Sequence, residues 1–210
     1  MKNMLAVLCL FISVSTLASI PKLEQKDFAS LLKTANNTAR PMTERWQSLI
    51  KAGEIAEPEQ IIKIQEFSKS SDWFMRNASL VALETIHADY GIEQAKILIQ
   101  DKALVVRSAA VKTLTKKNSL DVRRILAGEM SKPYNYSGQQ SLWIRSQIMQ
   151  QLAKTATSQD RQFLARHLFD TDKKVVQLSA SALEKISSVQ FMGDQRIQQW
   201  QKFVKENKWL

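Results

Sequence analysis

Hydrophobic positions along this chain recur at helical spacing and not at the alternating spacing of strands. Between residues 106 and 114, five apolar or small side chains fall on one stripe of a helix: Val106, Ala109, Ala110, Thr113 and Leu114. Small residues in such a stripe allow a neighbouring helix to pack closely. Only 5 Gly and 4 Pro interrupt the 210 residues. The pattern therefore predicts long helices and an all-α fold.

This helical pattern occurs four times. Residues 70–83, 101–114, 139–152 and 170–183 align without gaps, with an apolar residue at the sixth place and Leu at the fourteenth. The apolar residues are Met75, Val106, Ile144 and Val175, and the closing residues are Leu83, Leu114, Leu152 and Leu183. Arg fills the seventh place in three segments, as Arg76, Arg107 and Arg145. Successive seventh places lie 31, 38 and 31 residues apart, a period that indicates stacked helix pairs.

The four segments resemble the second helix of the HEAT repeat, in which an Asp-containing turn precedes Val-Arg and an Ala-rich stretch ending in Leu. Asp72 and Asp172 stand in the turn of the first and fourth segments, whereas Ala103 and Ser141 replace the Asp and Val176 replaces the Arg. The resemblance covers residues 57–210. It implies a right-handed α-solenoid of about four HEAT-like helix pairs plus capping helices, in which the seventh-place Arg bridges adjacent repeats.

Amphipathic segments fill the intervals between the repeated helices. Residues 92–99, 120–130, 161–168 and 196–204 are interpreted as partner helices, and the last of them as a C-terminal cap. Residues 23–35 and 42–49 predict two N-terminal capping helices. A capping box at Thr157–Asp160 and the proline Pro58 mark helix starts.

The N-terminus has the pattern of a secretory signal peptide. Lys2 precedes a largely apolar run of 13 residues, Leu5–Leu17, and Thr16–Ala18 offers small residues for cleavage. The run is shorter than the roughly 20 residues that a membrane-spanning helix needs, although an uncleaved anchor is the alternative. The only cysteine, Cys9, lies within it. We expect export to the bacterial periplasm or the medium, with a signal peptide at 1–18, capping helices at 19–56 and one solenoid at 57–210.

Candidate catalytic groups are few in this sequence. His87 and His167 are the only histidines and belong to different repeats, so neither has a partner that would orient it as a base. The sequence contains no zinc or EF-hand spacing and no Gly-rich phosphate loop. We therefore predict a binding protein with no catalytic residue, metal or cofactor.

Positive charge is the strongest surface signal, with a formal net charge of +10. Residues 102–132 hold eight basic side chains against two acidic ones. We predict that Lys116, Lys117, Arg123 and Arg124 form one surface, called the basic edge, that attracts an acidic protein partner. A solvated helix surface that only keeps the protein soluble is the alternative.

The long second interval adds residues around 132–140, and we predict that Lys132, Tyr134 and Tyr136 extend the partner-binding surface. In the alternative, this segment is a longer turn whose rings pack on the repeats. The tryptophans Trp73, Trp143 and Trp200 are expected to pack in the core.

Together these features predict an exported monomer that binds an unidentified acidic protein and no nucleic acid. One alternative is that the basic edge binds an anionic envelope polymer or a lipid headgroup. Another is a nucleic-acid enzyme similar to the HEAT-like alkylpurine DNA glycosylases, which use aromatic residues and an Asp, here Asp72 with Trp73 or Trp143. The secretory signal argues against that enzyme.

Overall fold

The computed structural model describes residues 21–210, so the signal peptide predicted at residues 1–18 lies outside the described residues. The described part of the chain is mostly helical. Its α-helices are α1 (Pro21–Asn36), α2 (Met42–Glu54), α3 (Ile61–Gln65), α4 (Trp73–Ile86), α5 (Ala88–Leu98), α6 (Leu104–Leu114), α7 (Leu120–Glu129), α8 (Trp143–Lys154), α9 (Arg161–His167), α10 (Lys173–Ser187) and α11 (Arg196–Glu206). The prediction of an all-α fold is confirmed.

Short 3-10 turns and one small hairpin complete the described secondary structure. The turns are Pro58–Gln60, Glu66–Lys69, Pro133–Asn135 and Ser158–Asp160. The predicted capping box between Thr157 and Asp160 is present. Two antiparallel strands, β1 (Tyr136–Ser137) and β2 (Gln140–Ser141), pair within the long second interval. Gly138 opens their two-residue turn with a φ of 58°, a backbone conformation that glycine adopts readily.

Five helices pack side by side in chain order, and we call α2, α4, α6, α8 and α10 the stacked helices. Each of them contacts the next. The remaining helices lie against this row: α1 packs on α2, α3 on α4, α5 on α4 and α6, α7 on α8, and α9 and α11 on α10. The four repeated segments thus contain the starts of α4, α6, α8 and α10, and α2 joins the same row.

The core consists of the positions that recur in the repeated segments. All four sixth-place residues and all four closing leucines are buried. One hydrophobic cluster extends from α1 to α4 and a second from α4 to α11, so α4 contributes to both. Trp200 and Val204 of α11 are fully buried, and the Trp200 ring packs edge to face on Phe191 and Phe203. These aromatic contacts close the C-terminal end of the core.

Buried arginines connect a stacked helix to the turn before the next one. Arg76 of α4 donates from Nε and Nη2 to the two carboxylate oxygens of Asp101, at 2.6 and 2.7 Å. Arg145 of α8 donates in the same two-pronged manner to Asp170, at 3.0 and 2.5 Å. Paired hydrogen bonds of this kind fix both distance and orientation. Each arginine therefore sets the position of the following helix start.

The carboxylates of these two pairs stay ionised although the pairs are buried. Burial alone would raise the pKa of the Asp101 carboxyl, but the hydrogen bonds from Arg76 and from the Ala103 amide outweigh it and hold the pKa below its usual value. The pKa of the Asp170 carboxyl is lowered in the same way, with burial opposed by Arg145 and the Asp172 amide. Both carboxylates are therefore ionised at neutral pH.

In the longer second interval, hydrogen bonds through the Asn135 amide replace this ion pair. Arg107 Nε donates to Asn135 Oδ1 at 3.0 Å, and Asn135 Nδ2 donates to the main-chain oxygen of Glu129 at 2.9 Å. Asn135 and Glu129 are both buried. Arg107 Nη2 also donates to the Tyr134 carbonyl at 2.8 Å. A neutral side chain thus takes the place that aspartate has in the neighbouring turns.

Candidate functional site

The two lysines of the basic edge follow α6 and contact carboxylates of earlier helices. Lys116 Nζ lies 2.5 Å from Glu84 Oε1 of α4, and Lys117 Nζ lies 2.9 Å from Asp89 Oδ1 of α5. The hydrogen bond from Lys117 lowers the pKa of the Asp89 carboxyl. Both lysines are exposed at the surface, but much of their charge is matched within the chain.

The two arginines of the basic edge differ from one another. Arg123 Nη2 lies 2.6 Å from Asp160 Oδ2, and Arg123 Nη1 donates to the Thr155 carbonyl at 3.0 Å and contacts the Thr155 hydroxyl. Arg123 thus connects α7 to the turn between α8 and α9. Arg124 is exposed and lines the same shallow groove as Arg123. Three of the four cations therefore bridge segments of the chain itself, which the sequence alone did not reveal.

The tyrosines of the long second interval are anchored by residues of the segments that flank it. The Tyr134 hydroxyl donates to Glu129 Oε2 at 2.8 Å, and burial together with this carboxylate raises the pKa of Tyr134. The Tyr136 hydroxyl donates to the Met130 carbonyl at 3.3 Å, and its ring centroid lies 4.4 Å from the Arg145 guanidinium carbon. This arrangement matches the alternative of a longer turn with packed rings. Partner contacts by Lys132, Tyr134 and Tyr136 stay a prediction.

Two of the three tryptophans that were expected in the core are exposed. Trp73 is 44% exposed and Trp143 is 53% exposed, whereas Trp200 is fully buried. The expectation of core packing is confirmed for Trp200 and wrong for the other two. Both of these stand at the first residue of a stacked helix, where a side chain leans toward the helix N-terminus and projects beyond the packed region.

These tryptophans belong to a surface that we call the apolar row, formed by Trp73, Phe74, Val105 and Trp143. Phe74, Val105 and Trp143 each directly precede the buried sixth-place residue of their segment. Val105 is 45% exposed. Trp73 packs edge to face on Phe74, with ring centroids 6.1 Å apart. The apolar row therefore crosses the first turns of α4, α6 and α8.

A polar contact shows that the outer faces of α6 and α8 adjoin beside this row. Ser108 Oγ donates to Gln147 Oε1 at 3.0 Å, and Gln147 Nε2 donates to the Ser108 carbonyl at 3.2 Å. Ser108 and Gln147 lie one helical turn beyond Val105 and Trp143, on the same side of their helices. Val105 and Trp143 consequently occupy neighbouring places on one surface.

Exposed lysines lie at the opposite ends of the stacked helices, and we call Lys112, Lys154 and Lys185 the lysine row. Each stands in the last turn of its helix, α6, α8 or α10. Lys112 follows Val105 by seven residues and Lys154 follows Trp143 by eleven, spacings that return to the same face of a helix. Two carboxylates near this face, Glu84 and Glu184, pair with Lys116 and Arg196. The lysine row thus gives this face a positive charge.

The histidines make local structural contacts. His167 Nδ1 lies 2.8 Å from the Phe163 carbonyl, and burial lowers the pKa of His167. The His87 side chain accepts a hydrogen bond from the Asp89 amide at the start of α5. In the described residues, no group of three or more His, Cys, Asp or Glu side chains is placed to hold a metal ion.

No model of a known protein family matches this chain, and no curated protein is significantly similar to it. None of the helices in the described range combines the length and the hydrophobicity that crossing a membrane requires.

Proposed function

We propose that this chain is an exported HEAT-like repeat protein, folded as a right-handed α-solenoid, that binds an acidic protein partner and catalyses no reaction. The repeat assignment is supported by the side-by-side order of the stacked helices and by the arginine bridges between them. Helical arrays of this kind present long continuous surfaces and are commonly used for binding. Export is supported by the signal-like sequence of residues 1–18.

The observation that carries the binding proposal is the lysine row. Lys112, Lys154 and Lys185 are exposed on three consecutive stacked helices where the nearby glutamates are already paired, and Lys185 Nζ also donates to the Lys154 carbonyl at 2.9 Å. Such a face attracts acidic surfaces and speeds the encounter with them. Arg124 of the basic edge is a further exposed cation, on α7, whereas Lys116, Lys117 and Arg123 act mainly within the fold.

The contacts of Asp72 favour a binding protein over the DNA glycosylase alternative. Asp72 Oδ2 accepts a hydrogen bond from Arg45 Nη1 at 2.8 Å, which gives this carboxylate a structural partner. Trp73, its neighbour, packs on Phe74 at a helix end. A carboxylate that holds two helices together is poorly placed to attack or orient a substrate.

Crosslinking in the native cell envelope tests the proposal. The experiment compares the native protein with a variant in which Lys112, Lys154 and Lys185 are replaced by Glu. A matched control replaces three exposed lysines of other helices, Lys33, Lys63 and Lys202, by Glu, with the same change in net charge. We expect the lysine-row variant to lose its protein adduct and the control to keep it.

Equal adduct formation by both variants would contradict an electrostatic partner site on this face. An adduct that contains polysaccharide or lipid in place of protein would assign the surface to an anionic polymer or headgroup. Purified protein would then release that ligand steeply as salt rises, because bound counterions compete for the lysines.

A further inference from the structure

We propose that the apolar row, together with Lys112 and Lys154 of the lysine row, forms the seat of an amphipathic, acidic α-helix of the partner protein, lying across α4, α6 and α8. The proposal rests on the function proposed above and specifies the shape and chemistry of the partner. Its apolar side would contact Val105 and Trp143, and its carboxylates would face Lys112 and Lys154.

On α6 the width of the face fits one helix, whereas on α8 Trp143 and Lys154 lie eleven residues apart, about 16.5 Å along the axis. Val105 and Lys112 lie seven residues apart on α6, which corresponds to about 10 Å along the helix axis. An α-helix with its side chains is about 10–12 Å wide. A helix that crosses α6 at right angles would therefore have the apolar row along one flank and the lysine row along the other.

The spacing of the stacked helices fits the periodicity of a helix better than that of a strand. Packed helices lie about 8–10 Å apart, so the apolar contacts on α4, α6 and α8 recur at that interval. Residues seven apart on an α-helix are separated by about 10.5 Å on the same face. Same-face residues of a strand recur at about 6.8 Å. One apolar residue per heptad would thus meet one stacked helix.

The charges on this face favour an acidic segment of a partner protein over a second copy of this chain. Residues along the face are small or uncharged between the two rows, as at Ser108, Ala109 and Gln147. The unpaired charge at its far side is positive, and the whole chain carries a formal charge of +10. Two copies facing each other here would bring like charges together, which is destabilising. A helix rich in Glu and Asp would be attracted.

Fluorescence anisotropy with designed peptides tests the seat directly. The probe is a labelled helical peptide of about 21 residues with Leu at every seventh place and Glu along one flank. One control peptide has Lys in place of Glu, and a second distributes the same Leu residues around the helix. We expect the purified protein to bind the first peptide. Its affinity for each control peptide should be lower by about ten-fold or more.

Two protein variants test whether peptide binding depends on the apolar row or on any exposed apolar side chain. Trp143→Ser should weaken binding of the acidic peptide about ten-fold or more, since exposed Trp often dominates a contact. Leu120→Ser is the matched control, because Leu120 is also the first residue of its helix and is 73% exposed. It should leave the affinity unchanged. Equal affinities of the two variants, absence of peptide binding, or equal binding of the shuffled peptide would overturn the inference.

Failure of the amphipathic-helix inference is distinguishable from failure of the proposed function. If the lysine-row variant loses its protein adduct in the envelope while Trp143→Ser keeps it, the partner is acidic but does not use the apolar row. If anionic vesicles bind the protein and Trp143→Ser weakens that binding while no peptide binds, the seat belongs to a lipid surface. In both cases the amphipathic-helix assignment is wrong.

Discussion

Arg45 and Asp72 form a single-hydrogen-bond ion pair near the N-terminus, at the place where Arg76 and Asp101 form a two-pronged pair one stacked helix later. Arg45 Nη1 donates to Asp72 Oδ2 at 2.8 Å, and its Nε donates to the Ala35 carbonyl at 3.0 Å. Arg45 is a buried residue of α2. The series of bridging arginines therefore begins in the segment that the sequence indicated only as a cap, so α2 is organised like the helices that follow it.

Removal of one partner of a buried bridge should destabilise the protein strongly. Asp101→Asn leaves the Arg76 guanidinium without its counter-charge, and we expect a loss of about 3–5 kcal/mol in the free energy of unfolding. Urea denaturation followed by circular dichroism measures it. The double variant Arg76→Leu, Asp101→Asn should recover part of the loss, because no buried charge remains unpaired. A double variant no more stable than Asp101→Asn would show that the charge is not the cause.

The same bridges predict how stability depends on acid. The folded-state pKa values of Asp101 and Asp170 are lowered. Burial acts to raise these pKa values, but the hydrogen bonds from the arginines outweigh it. Their contribution is therefore fully present above the unfolded pKa of about 3.9 and is lost as pH falls through the folded values. Urea midpoints measured from pH 6 down to about pH 2.5 should decline below about pH 4. In Asp170→Asn this decline should be shallower, and an unchanged slope would contradict the assignment.

Two glycines offer a matched pair for testing how closely the stacked helices pack. A Cβ atom added at Gly53 of α2 would lie 2.8 Å from the Ala82 oxygen and 2.9 Å from the Ala82 Cβ of α4. Gly53→Ala should therefore lower thermal stability by about 1–3 kcal/mol through overpacking. Gly128 in α7 has open space around it, so Gly128→Ala should raise stability by about 0.4–1 kcal/mol. Calorimetry would contradict this packing if both changes acted alike.

Charge reversal distinguishes the cations of the basic edge that stabilise the fold from those that are exposed to a partner. Arg123→Glu removes the contacts to Asp160 and Thr155 and places two carboxylates together, so we expect a loss of about 1–3 kcal/mol in stability. Arg124→Glu should leave the thermal transition unchanged and reduce capture of an acidic partner. Thermal melts together with the envelope crosslinking assay separate the two effects. Equal melting temperatures of the two variants would show that the Asp160 contact is unimportant.

The sequence was sufficient for most of the helices and for the buried side of each repeated helix, but not for α3 or the β1–β2 hairpin. The apolar positions around Val106 and Leu114 recur at helical spacing, and this periodicity alone assigns the face that packs inward. It does not reveal where a side chain stands relative to the end of a neighbouring helix, so the exposure of Trp143 was missed. The signal available was its place in the first turn, two residues before Arg145.

The partners of the basic edge were also beyond the sequence. Lys117 and Asp89 are 28 residues apart, and Lys116 and Glu84 are 32 apart. Only the packing of one helix pair on the next brings such residues into contact. A count of charges in one stretch of sequence therefore overstates the charge that a surface offers, because it omits the carboxylates supplied from other stretches.

The hairpin in the long second interval should give the molecule a place that tolerates added chain. Its tip, Gly138 and Gln139, is exposed, while the anchoring contacts come from Tyr136 and Asn135 on the side nearer the core. A short epitope inserted between the two tip residues should leave the Arg107 contact intact. Such an insertion would label the protein away from both of its termini, so that antibody detection would not interfere with the aromatic contacts at the C-terminal end of the core.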